Sequence, residues 1–135
     1  MNTSQTIRFT LGGIVFEYDE DKNNNNIKKH GISFRSAARV FFDYDRIEMF
    51  DEANSIHEDR YDTIGDISAG YYTYGNSTVI GNIGPVAKEV HDVVFVVYTE
   101  RRSMEENGQM IEITRLISAR MATGFERGLY YGKHE

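Results

Sequence analysis

Lys22, Asn26 and His30 recur every four residues, a spacing that sets all three along one face of a helix, with Lys28 and Lys29 beside them. This is the densest basic cluster in an otherwise acidic chain, and lysine and histidine grouped in this way can meet a phosphate backbone. The plainer reading is a solvated outer face, because cations in the last turn of a helix also favour its dipole. Farther along, Glu58 and Arg60 stand two apart at the start of a strand, so their side chains point to the same side of a sheet. Arg101 follows the most apolar run and Arg120 follows the last strand. Guanidinium groups converging from strand ends form an anion site, since they stay charged and bind phosphate bidentately. A surface ion pair of Glu58 with Arg101 is the alternative. Tyr71, Tyr72 and Tyr74 offer stacking surfaces for bases, although ordinary strand packing explains them more simply.

Several other chemistries find no support. The chain has no phosphate-binding glycine loop, no dinucleotide fingerprint, no His-Glu-x-x-His and no nucleophile elbow. It lacks cysteine, which removes thiolate nucleophiles and disulfide scaffolds. His30, His57, His91 and His134 are scattered without metal-ligand spacing, so neither a metal nor another cofactor is expected. Acid, base and electrostatic catalysis remain.

The elements that would position these residues follow from periodicity. Ile14, Phe16 and Tyr18 alternate with Val15 and Glu17 as in a half-buried strand. Asp19 then caps a helix over 20–30, with Glu20 and Asp21 in its first turn, and Gly31 suits its C-terminal cap. The run Asn23 to Asn26 therefore falls inside a helix. Ser33 caps a second helix in which Phe34, Ala37, Ala38, Phe41 and Phe42 form a core stripe. Short strands are expected over 46–50 and 60–65, a central strand over 92–99, another over 110–118, and a last helix over 122–131. The stretch 101–109 reads as a polar turn. Together these elements predict a small α+β domain with an antiparallel sheet, two N-terminal helices and a C-terminal helix.

At 135 residues, with 40% hydrophobic and 27% charged residues, the sequence supports one core and one domain over 1–135. A loop or hairpin is expected at about 70–91, where glycines cluster around the only proline. No apolar run approaches the roughly 20 residues that span a bilayer, and the first residues lack the pattern of a signal peptide, so a soluble cytoplasmic protein is expected. The net charge of −6 argues against nucleic-acid binding by the whole surface. Locally the balance reverses: 101–134 holds six Lys or Arg against four Glu.

Read together, F-E-Y-D-x-x-K-x-x-x-N-x-x-K-H-G-I-S-F-x-x-A (Phe16 to Ala37), E-D-R-Y (Glu58 to Tyr61), V-V-Y-T-E-R (Val96 to Arg101) and I-S-A-R-x-A-T-x-x-E-R (Ile117 to Arg127) resemble the BrnT family of bacterial toxins. The resemblance covers Val15 to Tyr130. The most specific block holds Lys22, Asn26, Lys29-His30-Gly31 and Phe34 at matching spacing. Two stretches are longer than in family members, about 70–91 and the turn after Arg101. The resemblance implies a RelE-like fold and the toxin of a type II toxin–antitoxin pair, a ribonuclease that cleaves RNA and inhibits translation. It also implies a BrnA-like ribbon-helix-helix antitoxin as partner, in a complex with two copies of each chain. Lys22, Asn26 and Lys29 then become substrate-binding positions, and His30, Glu58, Arg60, Arg101 and Arg120 catalytic ones. A catalytically inactive relative that keeps only the antitoxin-binding surface is the alternative.

Metal-free RNA cleavage proceeds by attack of the ribose 2′-oxygen on the adjacent phosphorus. Arg60, Arg101 and Arg120 are expected to clamp the phosphate, with Arg101 nearest the scissile group. Glu58 or His30 is the candidate base. The sequence leaves that choice open.

Overall fold

A computed structural model describes residues 4–68 and 92–132. The expected feature at about 70–91 therefore lies outside the described residues. Among the described residues, six strands form one sheet in the order β1-β2-β6-β5-β4-β3, with helices packed on it.

The chain enters as a hairpin. Strand β1 (Thr6–Leu11) alternates exposed and half-buried residues and pairs antiparallel with β2 (Ile14–Asp19). Gly12 and Gly13, both at positive φ, make the two-residue turn that matches the twist of the flanking strands. Helix α1 (Glu20–His30) begins where its sequence places it, with the Asp19 side chain accepting from the Lys22 backbone N–H. It stops at Gly31, whose φ of 72° makes the left-handed cap.

The second expected helix is shorter than its apolar stripe. A single α-turn, α2 (Phe34–Ala37), tightens at once into a 3-10 segment, Ala38–Phe42. Val40, Phe41 and Phe42 are poor helix formers, and the chain must leave the layer at Asp43, so i→i+3 bonding takes over. The buried residues of the stripe are still core. Gly65 on β4 shows how closely this segment packs, because a Cβ there would lie 2.8 Å from Val40 Cγ2 and 3.0 Å from Arg46 Cβ.

Strands β3 (Ile47–Phe50) and β4 (Tyr61–Asp66) form an antiparallel pair, and β4 continues antiparallel onto β5 (Val93–Met104). Strand β5 and strand β6 (Met110–Met121) make the longest hairpin, with a register shift at Val97/Tyr98. The turn expected over 101–109 is thus mostly strand, and only Glu105–Gln109 turns. The sheet is mixed, contrary to the antiparallel expectation, because β2 lies parallel to β6, Phe16 beside Thr114 and Glu17 beside Arg115. Strand alternation fixes which side a residue faces and carries no information on the direction of a non-consecutive neighbour. Helix α3 (Gly124–Gly132) closes the domain.

Alternation divides the sheet. Phe16, Tyr18, Val96, Tyr98 and Leu116 join Phe34, Ala37 and Val40 in the main core on the helix side. On the open side, α3 covers only one end, where Tyr130 packs with Ile64, Val93 and Ala122. No helix among the described residues is long and apolar enough to cross a membrane.

Candidate functional site

Glu17 sits between Phe16 and Tyr18 on β2, so it projects from the open side of the sheet while its neighbours enter the core. It is a glutamate only 1% exposed, and arginines account for its burial. Arg101 of β5 donates from Nε at 2.6 Å and from Nη2 at 2.7 Å, and Arg115 of β6 donates from Nη1 at 2.7 Å. Arg8 of β1 comes within 3.9 Å and also binds Glu105 at 3.1 Å. Hydrogen bonds from Arg101, helped by Arg115, hold the Glu17 carboxyl below its ordinary range, so it is ionised and serves as the common counter-ion. The arginines keep 38%, 42% and 27% of their side-chain surface exposed (Arg8, Arg101, Arg115), and Nη1 of Arg101 with Nε and Nη2 of Arg115 have no partner among the described residues. Three strands thus present an anion-binding face over a buried carboxylate.

A second ionic group occupies the other end of the same side. Glu126, at the start of α3, takes both terminal nitrogens of Arg120 at 2.7 and 2.9 Å, and the guanidinium lies 4.3 Å over the Phe95 ring. Each partner favours the other's charge, raising Arg120 and lowering Glu126. Asp62 stands beside them, its carboxyl pushed up to about 6 by burial and by the neighbouring Asp51.

The residues singled out from the sequence therefore do not converge. Arg120 pairs in register with Phe95 and Arg101 with Ile113, so the two arginines lie six residues apart along β5, about 20 Å. Both also sit within strands and not after them. Arg60 precedes β4 and binds Glu58 at 3.4 Å, so the ion pair that Glu58 makes is with Arg60 and not with Arg101, the alternative raised from the sequence. Glu58 and Arg101 do line one groove.

Helix α1 splits its stripe. Lys22, Lys29 and His30 are exposed, whereas Asn26 is buried against the sheet. The Asn26 amide donates to the carbonyls of Ala119 and Ile32 at 2.6 and 3.0 Å and accepts from the Ala119 N–H at 3.1 Å. It holds the backbone of β6 as a neighbouring strand would. Asn23 accepts from the Phe34 N–H at 2.9 Å. Asn26 is thus a structural clip, with both amide protons committed to backbone carbonyls.

Sequence reasoning missed Arg8, Glu17 and Arg115. A single acid at an outward position between two core aromatics was the available signal for Glu17.

A small α+β domain that exposes arginines from three strands is suited to a polyanion. Residues 18–82 match the family model described as ribonuclease toxin, BrnT, of type II toxin–antitoxin system. This match, over just under half of the chain, agrees with the resemblance carried by the motifs. It spans α1 to β4, whereas the arginine-bearing strands β5 and β6 lie beyond it. No curated protein matches the chain.

Proposed function

We propose that this chain is a metal-independent endoribonuclease that cleaves RNA and inhibits translation, and that a BrnA-like ribbon-helix-helix antitoxin restrains it in a complex with two copies of each chain. The observation that carries the catalytic reading is the cluster of Arg8, Arg101 and Arg115 around buried Glu17. Fixed guanidinium donors can stabilise the charge that develops on a phosphate under attack, a role that a metal fills in other nucleases.

In this reading Arg101 and Arg115 receive the scissile phosphate and Glu17 holds their planes still. Glu58, exposed beside Arg60, is the candidate base for the 2′-OH, and Arg60 contacts the adjoining phosphate. Lys22, Lys29 and His30 line the exposed side of α1 and bind the backbone farther along, with His30 the alternative acid–base group. Arg120 would have to leave Glu126 before it could hold a phosphate, so it lies outside the clamp.

Controlled expression in bacteria tests the reading. Total RNA should decay with the wild type and survive at least 100-fold longer with Arg60→Ala/Arg101→Ala, in line with the loss of fixed transition-state donors. Purified protein should cleave RNA equally well with a chelator present. Intact RNA in both strains at equal soluble levels refutes the ribonuclease reading, and activity that disappears with chelator refutes metal independence.

A further inference from the structure

The helix side of the sheet carries a groove of about 1000 Å³ that differs in charge from the arginine face. It crosses the sheet from the start of β2 to β3, four strand spacings or about 19 Å, which is about the length of six extended residues. Five carboxylates and three guanidiniums line it. Each guanidinium has a carboxylate partner: Arg46 has Glu48 at 3.3 Å, Arg102 has Glu112 at 3.5 Å, and Arg101 has Glu17 at 2.6 Å. Asp59 and Glu100 have no ionic partner among the described residues and are exposed. The Thr99 hydroxyl donates to the Asp59 carbonyl at 2.7 Å, which holds the segment before β4 against β5, and Asp59 and Glu100 line the same groove.

Phe41 and Tyr61 also line the groove and belong to a chain of ring contacts. Phe41 meets Tyr98 at 4.9 Å, Tyr98 meets Tyr61 at 5.6 Å, and Tyr61 meets Phe50 at 5.8 Å between ring centroids. A groove lined by both carboxylates and aromatic rings suits a guanidinium or ammonium group, which can form an ion pair and a cation–π contact. Asp59 and Glu100 themselves would repel a phosphate and attract a cation. We propose that this groove docks an extended, arginine- or lysine-bearing segment of a protein partner. The inference stands on groove geometry and charge and does not require RNA cleavage.

A fluorescent hexapeptide alternating arginine and serine, capped at both ends, is a direct probe. Saturable binding to the wild-type protein is expected, weakened at least tenfold in Asp59→Asn/Glu100→Gln. The decoy Glu52→Gln/Glu106→Gln, which removes the same charge from exposed positions outside the groove, should retain wild-type affinity. The proposal is overturned by an absence of saturable binding, or by equal weakening in the decoy, which would mean attraction to bulk charge.

Discussion

Replacing Glu17 by glutamine keeps the size of the side chain and removes the charge on which three strands converge. The wild-type carboxylate takes three short bonds from Arg101 and Arg115. Hydrogen bonds to charged groups are worth roughly 1.5–3 kcal/mol each. The arginines, however, are 27–42% exposed, and water takes over much of what they lose. The net destabilisation at pH 7 is therefore about 2 kcal/mol, a fall in Tm of about 6 °C for a domain of this size. The pH dependence is the sharper part. Because the folded state holds the carboxyl below its ordinary 4.5, its stabilisation is fully present above that value and is lost as pH falls through the folded value. Thermal unfolding followed by circular dichroism should thus show a gap between wild type and Glu17→Gln that is widest near pH 7 and closes towards pH 3. A gap below 0.5 kcal/mol at pH 7, or one of constant size across that range, would refute the counter-ion role.

Asp62 should behave in the opposite sense. Its folded pKa is raised from 3.8 to about 6, so the stabilisation that comes with its proton is complete below about 3.8 and lost as pH rises through 6. Asp62→Asn should raise Tm at pH 8 and leave it nearly unchanged at pH 4, and a carboxyl titration midpoint near 4 by NMR would contradict the assignment. Asn26→Ala should destabilise the fold by about 2–3 kcal/mol, since it removes three bonds and leaves the Ala119 backbone groups unpaired in a buried place. Urea unfolding gives the magnitude, and the Ala119 amide should exchange faster with solvent. A loss below 0.5 kcal/mol would remove the clip.

Much of the fold was open to reading one element at a time. Helix α1 was legible to its last residue because its signals are local: Asp19 at the start, acids in the first turn, Gly31 at the end. The hairpin of β1 was equally local, with Ile7, Phe9 and Leu11 alternating before a Gly-Gly turn, yet it was not anticipated. Pairings between distant segments were closed to the sequence. Nothing in the neighbourhood of Arg115 reveals that its partner stands 98 positions earlier, or that β2 runs parallel to β6. The asparagine run misled for a related reason. Polarity suggested solvent, whereas Asn23 and Asn26 spend theirs on backbone groups brought close only by the tertiary fold.

The Asn26 amide also limits how the sheet can grow. Strand β2 accompanies β6 only at Phe16 and Glu17, so farther along the outward N–H and C=O of β6 would otherwise be open to an incoming chain. At Ala119 both are already taken by a side chain. A peptide that binds by adding a strand, or a second copy that pairs edge to edge, is therefore directed to β1 or β3, the outermost strands of the described sheet. One asparagine thus makes part of an internal edge unavailable for recruitment while leaving the outer edges available.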